Sequence, residues 1–111
     1  MNNLVNIYNL SLDYPEVSGA EQLEVLEIRD QIAELETELS EKDEKNLSEA
    51  DQKLINNVSI IYQEISRFIN LADYRNKQKI SSKKWWWYLD VLSNLPKLPV
   101  NPLHYLDNQE T

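Results

Sequence analysis

The residue types that could do chemistry in this chain are carboxylates, a single histidine and a run of basic and aromatic side chains. The 111 residues include 19 Asp and Glu, one His and no Cys, which excludes cysteine nucleophiles and cysteine metal ligands. His104 lies among prolines with no catalytic motif around it, and we interpret it as a surface or packing residue. Paired catalytic acids need a pocket that separates their pKa values, and the carboxylates of the first predicted helix lie mostly on its solvent side. We therefore predict that the protein is not an enzyme.

Metal and cofactor sites are not expected either. No HExxH spacing occurs, and residues 43–51 lack the glycine and the oxygen-ligand pattern of a calcium-binding loop. Gly19 is the single glycine, whereas phosphate-binding loops need several positions where the backbone approaches phosphate closely. The sequence thus predicts no catalytic residues, no metal and no cofactor.

Three consecutive tryptophans are the least expected feature of the sequence. Successive residues of a helix point about 100° apart, so three neighbours cannot share one face, and counting turns leaves Trp86 as the exposed one. Tryptophan and arginine are enriched among residues that dominate binding energy at interfaces. We therefore predict a partner-binding surface, with nearby cations that orient the partner, formed by Trp85, Trp86, Trp87, Tyr88, Arg75, Lys77, Lys79, Lys83 and Lys84. The alternative is that all three tryptophans close the end of the core.

Charge is distributed unevenly along the chain. Residues 16–51 contain thirteen acidic and three basic residues, whereas residues 67–84 contain six basic and one acidic residue. The overall charge of −8 opposes nonspecific attachment to nucleic acid, which depends on neutralising phosphates. The acidic segment suggests a second function, an inhibitor that mimics nucleic-acid phosphates in the basic groove of a nuclease or similar protein. The basic segment beside the tryptophans suggests a third, attachment to a membrane surface.

The predicted fold class is all-α, with a long antiparallel, coiled-coil-like helical hairpin followed by a short tryptophan-rich helix. Approximate alternation in residues 4–14 predicts a strand-like or irregular N-terminal arm over residues 1–17. Ser18 and Glu21 form a capping-box pattern that predicts a helix start. The helical domain spans residues 18–95, with helices near 19–40, 49–72 and 82–95, and a hairpin loop at residues 40–46. Prolines at three-residue intervals predict an extended tail over residues 96–111.

The second predicted helix has a wide apolar face. A second row at sevenfold spacing lies beside its main apolar stripe, and it needs cover from another element or from a second copy of the chain. We assign self-association, as a homodimer, to this row, which consists of Ile55, Tyr62 and Ile69. The sequence thus predicts a cytoplasmic, non-enzymatic adaptor or regulator that binds another protein.

Overall fold

A computed structural model describes residues 2–95 of the chain. All regular secondary structure in this part of the chain is helical and it contains no strand, which confirms the all-α prediction. Its α-helices are Asn3–Ser11 (α1), Gly19–Ala33 (α2), Glu41–Asn56 (α3), Val58–Ser66 (α4), Leu71–Gln78 (α5) and Leu89–Ser93 (α6). Short 3-10 helices occur at Glu36–Glu38 and Trp85–Trp87. The predicted proline-containing tail over residues 96–111, and His104 within it, lie outside the described residues.

The N-terminal segment is a helix, so the prediction of a strand-like arm is wrong. The Asn2 side chain caps α1 by accepting hydrogen bonds from the backbone N–H groups of Leu4 and Val5, at 2.9 and 3.3 Å. Val5 and Tyr8 are fully buried, and their spacing follows the helical period rather than the strand period. The arm is therefore part of the hydrophobic core.

The start of α2 is confirmed, but the predicted hairpin loop is in the wrong place. Ser18 Oγ accepts from the backbone N–H of Glu21 at 3.3 Å, as the capping pattern predicts. The helix ends at Ala33 instead of near residue 40. Ser40 then caps α3 by accepting from the Asp43 N–H at 3.1 Å. The charged run after Ser40 is thus the acidic first turn of a helix, where carboxylates complement the helix dipole.

The single long second arm of the predicted hairpin is not confirmed. Asn57 separates α3 from α4, and its side-chain amide donates to the Lys53 carbonyl at 2.9 Å. α4 ends at Ser66, and Asn70 caps the separate helix α5. The predicted helix over residues 82–95 is a 3-10 turn followed by α6, which has only five residues.

The helices share one hydrophobic core. α2 packs against both α1 and α4, α1 also packs against α3, and α6 packs against α4. At Gly19 the α2 backbone approaches α4 so closely that an added Cβ would lie 2.4 Å from the Glu64 carbonyl oxygen. No helix within residues 2–95 is long and apolar enough to cross a membrane.

Candidate functional site

The tryptophan segment is buried, which corrects the prediction that Trp86 is exposed. Trp86 and Trp87 are 4% and 1% exposed. Their indole N–H groups both donate to Asp30 Oδ1, each at 2.8 Å. Trp85 is half-buried and packs edge-on against Trp86. The α-helical wheel failed here because the three residues form a 3-10 turn, and because α2 supplies an acceptor that two indoles share.

Arg29 connects this segment to a polar network in the core. Its guanidinium lies over the Trp86 ring at 4.3 Å. Arg29 Nε and Nη2 donate to the two carboxylate oxygens of Asp51, at 3.0 and 3.2 Å. The Tyr8 hydroxyl donates to Asp51 Oδ1 at 2.6 Å. The network joins α1, α2, α3 and the tryptophan segment, and none of these contacts was predicted from the sequence.

The environment of the network shifts the pKa values of its members. Burial raises the pKa of Tyr8 well above 10.0, and the neighbouring Asp51 carboxylate raises it further. Burial raises the pKa of Asp51 as well, although Arg29 and Tyr8 oppose the shift. Burial alone would lower the pKa of Arg29, but the charge and hydrogen bonds of Asp51, together with the charges of Tyr8 and Glu36, outweigh burial, and the pKa is raised. Arg29 therefore stays cationic and acts as a structural ion.

A polar cavity of about 260 Å³ lies between α2 and α3, beside this network. Arg29 Nη1 lies 3.1 Å from Glu36 Oε1 and forms an ion pair with it, although the two groups are not positioned for a hydrogen bond. The cation of the cavity is thus already paired with carboxylates inside the chain. Within residues 2–95, no group of three or more His, Cys, Asp or Glu residues has an arrangement suited to a metal ion.

The predicted basic surface divides into structural and exposed cations. Arg75 donates to the Trp87 carbonyl at 3.0 Å, pairs with Asp90, and stacks on the ring of Tyr88. Lys84 Nζ lies 3.8 Å from the Asp30 carboxylate. The remaining predicted cations are exposed and are Lys77, Lys79 and Lys83. The structure therefore does not bring the predicted tryptophans and cations together as one exposed surface.

The row assigned to self-association is mostly covered within the chain. Ile55 is 8% exposed, and Tyr62 and Ile69 are half-buried against the core. Other elements of the same chain cover this row, so that a second copy of the chain is not needed to cover it. The observation that motivated self-association is thereby removed, and the oligomeric state stays a prediction.

An apolar groove between α1 and α2 is the surface that sequence reasoning missed. It encloses about 400 Å³, and large apolar side chains are exposed along its α1 side, with Ile7 at 39% and Tyr14 at 68%. Leu10, 56% exposed, lies one helical turn from Ile7. The residues that line the groove are Ile7, Ser11, Tyr14, Val17, Glu21, Glu24, Val25 and Ile28.

The groove was missed because it requires α1 to be a helix. One signal was present in the sequence: Val5, Tyr8 and Leu12 recur at four-residue spacing after Asn2, a preferred capping residue. With those residues in the core, Ile7 and Leu10 must lie on the outer side of α1.

Comparison with protein-family models, curated proteins and solved structures gives no significant match for this chain.

Proposed function

We propose that this protein is a non-enzymatic binding module, a small adaptor or regulator, that holds a segment of another protein in the α1–α2 groove. The observation that carries the proposal is the exposure of apolar side chains in the lining of this groove, with Ile7 39% and Tyr14 68% exposed. Exposed apolar clusters with polar rims are typical of protein-interaction sites. The Trp85–Trp87 segment takes a supporting role in this proposal, because it anchors α2 to the C-terminal part of the fold.

The proposal is supported by how firmly α1 is held. The backbone N–H of Asn2 donates to Asp43 at 2.9 Å, next to the start of α1. Near its other end, Lys53 Nζ donates to Asn9 at 2.6 Å and to Asp13 at 2.8 Å. A groove wall fixed before binding reduces the entropy lost when a partner is bound.

Three sequence predictions bear on the proposal, namely self-association, the cytoplasmic compartment and attachment to a membrane. The groove is assigned to a different protein, because two chains of charge −8 repel one another at low ionic strength. The cytoplasm is kept as the proposed compartment, since a chain without cysteine needs no oxidising environment. Attachment to a membrane surface loses support because two of the three indoles that it requires are buried.

Affinity capture from cell extract tests the proposal with a matched pair of variants. Ile7 and Ile60 are 39% and 40% exposed, and only Ile7 lines the groove. We expect a protein captured stoichiometrically by the wild type and by Ile60→Ser to be lost with Ile7→Ser. If both substitutions leave the captured proteins unchanged, the groove is not the binding site.

The acidic-inhibitor alternative is favoured by a different observation. Four carboxylates along α2 and the segment after it are exposed, and they are Glu24, Glu27, Glu34 and Glu38. A phosphate mimic loses affinity steeply with salt, whereas binding through apolar contacts does so weakly. If charge reversal at these four positions abolishes capture and Ile7→Ser does not, the inhibitor function is supported and the groove proposal is rejected.

A further inference from the structure

We infer that the occupant of the α1–α2 groove is an amphipathic helix whose apolar side enters the groove and whose flank carries Lys or Arg. This inference rests on the proposed function, which it extends by naming the chemistry of the partner. It depends on the shape of the groove walls, on their backbone, and on the charge of the α2 wall.

The walls have the spacing of helical ridges. On the α1 side the lining residues Ile7 and Ser11 are one helical turn apart, and Tyr14 and Val17 line the groove from the segment between α1 and α2. On the α2 side the lining residues run from Glu21 to Ile28, about two turns or 10 Å of helix. A trough between two helical ridges accepts a third helix, which inserts apolar residues at i, i+3 or i+4, and i+7.

The backbone of the walls argues against an extended occupant. A bound strand needs unpaired N–H and C=O groups at a sheet edge to satisfy its own backbone. The α1 and α2 parts of the walls are helical, only Tyr14 and Val17 line the groove from the segment between them, and the part of the chain that the structure describes contains no sheet. A helical occupant forms its backbone hydrogen bonds internally, so it can bury apolar side chains in the groove without leaving backbone N–H and C=O groups unpaired.

The charge of the groove lining determines which charge the bound helix should carry beside its apolar side. Glu21 and Glu24 are exposed carboxylates of the α2 wall, and none of the residues within 2–95 that line the groove is basic. Neither glutamate forms an ion pair with any side chain of residues 2–95. Cations on the occupant would meet these carboxylates at the rim, where charge complementarity guides association and suppresses unsuitable partners.

Calorimetry of the full-length chain with three designed peptides tests the inference. The probes are an amphipathic Leu/Lys helix of about 14 residues, the same pattern with Glu in place of Lys, and a scrambled Leu/Lys peptide of identical composition. At about 0.15 M ionic strength, we expect the Leu/Lys helix to bind one per chain. We expect it to bind about tenfold more tightly than either other peptide.

Glu24 and Glu27 provide the control for charge position. Both are exposed on α2, and only Glu24 lines the groove. Glu24→Lys should weaken binding of the Leu/Lys helix about fivefold, and Glu27→Lys by less than about twofold, because rim charges act mainly on nearby partner charges. Equal weakening by the two variants would overturn the inference, as it would indicate attraction to net negative charge alone.

Ile7→Ser separates failure of the inference from failure of the proposed function. Suppose that the Leu/Glu or the scrambled peptide binds as tightly as the Leu/Lys helix and that Ile7→Ser weakens that binding. The groove is then still supported as the binding site, but the inference that its occupant is a basic amphipathic helix is rejected. If Ile7→Ser changes the binding of no peptide, the inference and the groove are both rejected. Formation of a dimer that the Leu/Lys peptide dissociates would assign the groove to a second copy and would also overturn the inference.

Discussion

The Arg29 guanidinium lies 4.3 Å from the centre of the Trp86 ring, with Asp51 paired to it through two hydrogen bonds. A cation from the acidic first half of the chain is therefore buried against an aromatic residue from the basic second half. The two halves, separate in the sequence, are connected through the core. The first four predictions below test this arrangement and the helix packing around it.

Loss of Asp51 should destabilise the protein far more than loss of the other carboxylate partner of Arg29. The side chains of Arg29 and Asp51 are 5% and 14% exposed, so Asp51→Ala leaves a buried cation short of its main partner. We expect a loss of about 3–5 kcal/mol in the free energy of unfolding, measured by urea denaturation. Glu36 is 48% exposed, and Glu36→Gln should cost under about 1 kcal/mol. Comparable losses for the two variants would contradict a central role for the Arg29–Asp51 pair.

Stability should fall at alkaline pH because of Tyr8. Its raised pKa means that the folded state keeps the phenol proton after the unfolded state has lost it. The contribution of Tyr8 is therefore fully present below pH 10.0 and is lost as pH rises above that value. Tyr8→Phe should be about 1–2 kcal/mol less stable near pH 8, where it lacks the hydrogen bond to Asp51.

The same variant provides the control for the other tyrosines, whose titration is common to both proteins. The stability difference between wild type and Tyr8→Phe should shrink between pH 10 and pH 11.5, measured by urea denaturation at each pH. A difference that stays constant over this interval would show that the phenol titrates normally in the folded protein.

Trp86→Ala should unfold or severely destabilise the protein, because the side chain lies in the core and not on the exposed surface that the sequence predicted. The side chain is 4% exposed and contacts Arg29 and Asp30. Removing a buried tryptophan costs about 3–5 kcal/mol, which thermal denaturation followed by circular dichroism will detect. An unchanged melting temperature would place Trp86 at the surface and refute the buried network.

Gly19→Ala should destabilise the packing of α2 on α4. The added Cβ would meet the Glu64 carbonyl oxygen at 2.4 Å and the Phe68 Cβ at 2.9 Å. Alanine is the better helix former by up to about 1 kcal/mol, but we expect the clash to dominate with a net loss of about 1–3 kcal/mol. Ala20→Ser, at the next and exposed position, should change the unfolding free energy by less than about 0.5 kcal/mol. A more stable Gly19→Ala would show that the two helices do not approach this closely.

Local signals in the sequence predicted local structure only in part, since the alternation in residues 4–14 indicated a strand where α1 is a helix, and the helix predicted to start near residue 49 begins at Glu41. Ser18 with Glu21 gave the correct start of α2. Ser40 with Asp43 has a similar form and does cap α3, but the absence of apolar residues after it suggested a loop. The charged run is helical because acidic residues favour the first turn of a helix. The helix continues beyond this run, and its residues Leu47 and Ala50 are buried in the core.

The errors of greater consequence had both long-range and local causes. Burial of Trp86 depends on Asp30, 56 positions away, and no periodicity in the tryptophan segment reports on α2. The break at Asn57 was invisible because the apolar rhythm of Leu54, Val58 and Ile61 continues across it. The groove could not be predicted once α1 had been interpreted as a strand, because α1 forms one of its walls.

Site-specific photo-cross-linking tests the central claim, that the α1–α2 groove holds a protein partner, most directly. A benzophenone amino acid replaces Tyr14, which lines the groove, or Ile60, on α4, which are 68% and 40% exposed, and each protein is irradiated in cell extract. Our account predicts a discrete cross-linked protein with the probe at position 14, reduced by Ile7→Ser, and absent with the probe at position 60. The same product at both positions, or no dependence on Ile7, would contradict it.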